Sequence, residues 1–152
     1  MYHWVVKYKV RRGFGQLSAG DYEAVLREFA PNAALSFAGQ HALSGHHRGI
    51  GMVRLWFRRL YRLFPGIRFE IHDVLATGWP WNTVVVTHFS VQANLRDGRP
   101  YRNQGMQYVR LRWGRVVEDR IYEDTQKLMT ELRHMADQGI GEAVSAPLAV
   151  SH

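Results

Sequence analysis

The chain is predicted to be an α+β domain. Two observations carry this: helical periodicity is confined to the first 64 residues and to one segment after residue 124, and everything between Ile67 and Asp124 alternates with period two. A third is size, because 152 residues make one ordinary domain, able to bury about 70 % of the surface its unfolded chain exposes. Helices, then a long antiparallel meander, then one helix imply a curved, mostly antiparallel sheet wrapped around helices laid on one face.

Val6, Val10, Phe14 and Leu17 recur at helical spacing and predict an amphipathic helix over Trp4–Leu17, although Gly13 and Gly15 weaken it. Ser18-Ala19-Gly20-Asp21 ends it, and Asp21 is a suitable cap for a second helix over Tyr22–Phe29, stopped by Pro31. Ala33–Ala38 reads as a short strand, and Gly39–Gly49 as a glycine- and histidine-rich loop. The clearest helix runs from Ile50 to Phe64, with Ile50, Val53, Phe57, Leu60 and Phe64 on one face, widened by Trp56 and Leu63. Arg54, Arg58 and Arg62 lie on the other side, and Pro65-Gly66 stops it.

Four strands follow: one from Ile67 to Gly78-Trp79-Pro80, then Thr83–Leu95, Tyr101–Arg112 and Val116–Glu123. Arg96-Asp97-Gly98 and Trp113-Gly114 supply hairpin turns. Asp124 or Thr125 caps a last helix to about His134. The domain is expected to span residues 1–136, with 137–152 a flexible C-terminal tail rich in small residues.

Composition removes several classes of function. Without cysteine there are no disulfides, thiolate metal sites or thiol chemistry, and the expectation is a cytoplasmic protein. No apolar run reaches the ~18 residues of a membrane helix, and no secretory h-region follows Lys7, Lys9, Arg11 and Arg12. The net charge of +7 rests on twenty basic residues of which only Lys7, Lys9 and Lys127 are lysine. The arginines are spread along the chain, and the Arg54-Arg58-Arg62 stripe lacks the interleaved aromatics that nucleic-acid binding favours, so a solvated basic surface is expected and nucleic acid is not.

His41, His46 and His47 do not match zinc spacing and read as a mobile rim, with no metal expected. Gly78-Trp79-Pro80-Trp81 reads as a structural hairpin turn.

Ala19-Gly20-Asp21 before a short helix, Arg48-Gly49 at the start of the long one, Asp97-Gly98-Arg99-Pro100-Tyr101, Gly114-Arg115-Val116-Val117 and Arg120-Ile121-Tyr122-Glu123-Asp124-Thr125 resemble the NTF2-like superfamily, SnoaL-like branch, over roughly residues 4–136. The resemblance implies a cone-shaped fold with a deep pocket between concave sheet and helices, often in a homodimer. It leaves function open, because the fold hosts ketosteroid isomerases, polyketide cyclases, scytalone dehydratase, epoxide hydrolases and non-catalytic binders. Aligned without a gap to limonene epoxide hydrolase, the chain has His88 and Ser90 where that enzyme has its strand arginine and aspartate. Ile121 stands at its second aspartate, so its water-activating triad is missing. The oxyanion-hole aspartate of ketosteroid isomerase falls near Gln107.

The same alignment implies a pocket face of Val84, Val86, His88, Ser90 and Gln92, then Asn103, Gly105, Gln107 and Val109, then Val117, Asp119, Ile121 and Glu123. His88 is placed beside Gln107, with Asp119 two strand spacings away, roughly 10 Å. His88 and Asp119 are the expected acid and base. Gln107 and Asn103 would hold a carbonyl oxygen, and Ser90, Gln92, Ile121, Glu123, Trp56 and Leu60 would contact substrate. Asp124 reads as a helix cap. The expected activity is cofactor-independent acid/base chemistry on a small hydrophobic carbonyl or polyketide-like molecule. The alternative is a non-catalytic ligand-binding or dimeric interaction module. A homodimer through the outer sheet face, carrying Tyr108, Val85 and Phe89, is expected.

Overall fold

The computed structural model describes residues 1–148. Helix α1 (Tyr2–Ser18) buries Val6, Phe14 and Leu17, as its periodicity requires. Asp21 caps α2 (Tyr22–Leu26) by accepting the Ala24 amide at 3.1 Å. This helix is shorter than its pattern suggests. Phe29 already pairs with Val116, so β1 spans Phe29–Phe37, with a register shift between Phe29 and Ala34 that absorbs Pro31. The segment read as a loop contains a strand, β2 (Gly45–Arg48), paired antiparallel to β1. Alternation over four residues is too brief a signal to read from sequence.

Helix α3 (Ile50–Leu63) buries Val53, Trp56, Phe57, Leu60 and Leu63. Its outer arginines are partly spoken for, since Arg54 pairs with Glu23 and Arg62 with Glu142. Then come β3 (Arg68–Trp79), β4 (Asn82–Asn94), β5 (Pro100–Arg112), β6 (Arg115–Glu123) and α4 (Thr125–Asp137). The sheet order is β2-β1-β6-β5-β4-β3, and only β1 and β6 run parallel. Its concave face wraps α1 and α3, and the rings of Phe14, Phe69 and Phe89 close one end of the core.

The segment expected to be a flexible tail follows α4 and is described as far as residue 148. A 3₁₀ turn at Gly141–Val144 buries Ala143, and Glu142 pairs with Arg59 and Arg62. Residues 149–152 of that expectation lie outside the described residues.

Asp124 caps α4 by accepting the Lys127 amide at 3.2 Å. Asp124→Ala should therefore lower stability by about 1 kcal/mol, or a few degrees of melting temperature, with ligand binding kept. A melt and a titration on the same sample check both halves.

Candidate functional site

The space between sheet and helices is a cavity of about 250 Å³. Its walls are Val6, Val10, Phe14 and Leu17 of α1, Trp56, Phe57 and Leu60 of α3, and the inward side chains of β4, β5 and β6. Among the apolar groups stand three polar ones in the interior, Gln107, Asp119 and Glu123.

Asp119 sits on β6, opposite Val109 of β5 and Leu35 of β1. It is 4 % exposed. Gln107 Nε2 donates to its Oδ2 at 3.2 Å, while Oδ1 is buried with no partner among the described residues. An ionised carboxylate held this way has lost most of its hydration and recovered one hydrogen bond. Burial consequently pushes the Asp119 carboxyl up to about 7, and the Gln107 amide pulls only weakly the other way. Glu123, four residues along the same strand face, is also raised by burial to about 7. Their backbones lie roughly 13 Å apart along β6, with Ile121 between, and both side chains line the same cavity. Two carboxyls poised near neutrality in a mostly apolar cavity can each give or take a proton at physiological pH.

Trp56, Leu60, Gln107, Ile121, Asp119 and Glu123 all line this cavity. The placement expected for β4 is reversed. Its buried side chains are Thr83, Val85, Thr87, Phe89, Val91 and Ala93, and Thr87, not His88, stands opposite Gln107. His88 is on the outer face, its ring 5.1 Å from that of His72. Ser90 is there too, bonded through Oγ to His72 Nε2, and Gln92 is exposed between Arg68 and Arg102. His88 and Asp119 thus face opposite sides of the sheet and cannot serve one substrate together. In the corrected register Thr87 and Phe89 hold the inward positions, so β4 still lacks an arginine and a carboxylate there.

Asn103 points inward but is consumed by structure: Nδ2 donates to the Tyr101 hydroxyl at 2.9 Å and the Asp124 carbonyl at 3.0 Å, and Oδ1 accepts the Gln104 amide. Val85 and Phe89, expected on the outer face, are buried in the core. The histidines expected to form a mobile rim are folded in. His41 packs edge-on against Phe37, His47 is buried on β2, and His46 bonds Ser36 Oγ at 2.8 Å. None of the three lines the cavity. Burial lowers the pKa of both His41 and His47, which favours their neutral forms.

The SnoaL-like domain family matches residues 10–119, most of the chain and most of the cavity wall. The chain belongs to this family. No curated protein sequence matches it significantly. Solved structures of this SnoaL-like domain's fold include PrhC from Penicillium brasilianum, 14 % identical, with a TM-score of 0.74 over 88 % of this chain and 89 % of that one. An NTF2-like protein of unknown function from Burkholderia pseudomallei is 20 % identical, with a TM-score of 0.67 over 82 % and 94 %. TerC, co-crystallised with polyporic acid, is 17 % identical, with a TM-score of 0.62 over 77 % and 89 %. At such low identities the TM-scores show a shared fold, NTF2-like and cone-shaped, and nothing of chemistry, which is left to the site itself. No described helix is long and apolar enough to cross a membrane.

Proposed function

We propose that this SnoaL-like domain is a cofactor-independent acid/base enzyme, of isomerase, cyclase or dehydratase type, acting on a small hydrophobic carbonyl or polyketide-like molecule. The observation that carries this reading is the unpartnered Oδ1 of Asp119, buried in an apolar cavity with its carboxyl raised to about 7. Its ionised form takes a proton from carbon α to a carbonyl, and its protonated form returns one. Gln107 fixes Oδ2, leaving Oδ1 free, and its second N–H is a donor for the developing enolate oxygen. Glu123, when protonated, is the other available donor. The expected pairing of His88 with Asp119 is replaced by Asp119 with Glu123.

Solvent-deuterium exchange at the acidic carbons of hydrophobic ketones tests the reading. Exchange should rise with pH through an apparent pKa near 7, as ionised Asp119 accumulates. His88→Gln, a change outside the cavity, should leave it at the wild-type rate. Ligands that raise the melting temperature yet show no exchange or product would make the protein a binder instead.

The outer sheet face offers a second copy exposed Leu75, Met106 and Tyr122, with Tyr108 between the guanidinium groups of Arg110 and Arg120. A symmetric dimer through this face is part of the proposal. A monomeric mass by light scattering at micromolar protein would remove it.

A further inference from the structure

The cavity's interior chemistry explains why a carbonyl would react there, but not which end of a substrate enters first. The rim bears on that. Lys9, Arg12 and Gln16 fall at i, i+3 and i+7 of α1, on the side that lines the cavity, and all three retain solvent exposure. Glu28 and Gly114 face them across the opening. Lys9 Nζ lies 3.3 Å from Glu28 Oε2, whereas Arg12 has no acidic partner among the described residues. The opening therefore carries a guanidinium with no carboxylate paired to it, over walls that are mostly apolar.

The reach from rim to acid follows from the strand. The Glu28 carbonyl accepts the Val116 amide at 2.9 Å, and Val116 is three residues before Asp119 on β6, so the backbone at the Glu28 side of the rim lies about 10 Å along the strand from that of Asp119. Polarity runs one way along this axis, with a cation at the opening and raised carboxyls inside.

We propose that Arg12, assisted by Lys9, is an anion subsite, and that the substrate is a hydrophobic acid. Its carboxylate is held at the rim, and the carbonyl-bearing end lies about 10 Å inward beside Asp119. The subsite deepens the acid/base reading and rests on it for the role of the inner end. Entry in the reverse sense would bring the carboxylate against Asp119 and Glu123 in an apolar enclosure, which disfavours it twice, by desolvation and by like charge. Arg12 thus acts on orientation and selection. The guanidinium suits a carboxylate because its planar fork can donate two parallel hydrogen bonds.

Calorimetric titration with decanoate and decyltrimethylammonium below their micellar concentrations, and with decanol below its solubility limit, separates the contributions of chain and head group. Decanoate should bind about five- to tenfold more tightly than decanol, and the cation least, with the preference shrinking as salt is raised. Arg12→Gln, an exposed change with no partner to lose, should remove most of the preference while leaving decanol unchanged. Glu28→Gln should increase it, because the change frees Lys9. Equal binding of decanoate and decanol by the wild-type protein, or a preference that survives Arg12→Gln, would overturn the subsite without touching the catalytic reading. A head-group preference that follows these variants while no ketone exchanges deuterium would do the reverse.

Discussion

Asp119→Asn is expected to abolish proton exchange and, in the same protein, to raise the melting temperature above neutral pH. The change keeps the shape of the side chain and a carbonyl oxygen for Gln107 Nε2, but removes the group that exchanges a proton. General acid/base contributions of ~10²–10⁴-fold set the expected loss. The gain in stability follows from the raised carboxyl. The folded state holds a proton on Asp119 up to about 7, whereas the unfolded chain releases it near 3.8. Between these values the folded state binds more protons, so wild-type stability is greatest below about pH 4 and is lost as pH rises through 7. The displacement corresponds to at most about 4 kcal/mol at pH 8. The variant carries no such penalty. Its melting temperature should match the wild type near pH 4 and exceed it by roughly 5–10 °C at pH 8. A residual slope of the same sign should remain, contributed by Glu123, which is raised for the same cause. Melts at the two pH values, beside one exchange assay, decide the matter. A variant that still exchanges deuterium, or gains nothing at pH 8, would take Asp119 out of the site.

The inward placement of Asp119 was legible from strand parity, since it alternates with Glu118 and Arg120, which turn outward and pair with each other, although the register shift at the start of β6 turns Val116 to the cavity where Val117 was expected. The facing of β4 was equally available but obscured. Thr83 to Thr87 is apolar or β-branched at every position, so its first half fits either face. Its second half does not: Phe89, Val91 and Ala93 alternate with His88, Ser90 and Gln92, and a half-buried strand turns the first set inward. The hairpin agrees. Arg96-Asp97-Gly98 is a three-residue turn closed by Leu95 and Arg99, whose amide and carbonyl bond at 2.9 Å. Such a turn pairs residues of equal parity, so an inward Gln107 requires an inward Thr87. Ungapped alignment to a distant relative lost that one residue, and with it every side chain of the strand. What no periodicity could reveal is the orphaned oxygen of Asp119. It depends on the absence of a partner in three dimensions, contributed jointly by β6, β5 and the helices that exclude water.

Gly105→Ala should be among the most damaging single-methyl changes in the molecule. Gly105 lies on β5 between Phe89 of β4 and Glu123 of β6, on the face turned to the core. A methyl group there would overlap the Tyr122 carbonyl oxygen and stand 2.8 Å from Glu123 Cγ and 2.9 Å from Phe89 Cζ. The two side chains can rotate away, but the carbonyl belongs to the β6 backbone and cannot move without opening the β5–β6 ladder. Overpacking of this sort costs about 1–3 kcal/mol or more, hence a fall of roughly 5–10 °C in melting temperature. The function should suffer beyond the stability, because Phe89 and Glu123 are themselves cavity walls and would be pushed into the space a ligand occupies. Gly15→Ala gives the opposite control. Gly15 lies within α1 with nothing within 4 Å of an added methyl, so alanine there should stabilise by about 0.5–1 kcal/mol through helix propensity and the unfolded chain's reduced freedom. Melting curves and decanol titrations of both variants separate a general intolerance of substitution from the specific crowding at Gly105. A Gly105→Ala protein that melts with the wild type and binds decanol unchanged would show that β6 yields where the structure has it fixed.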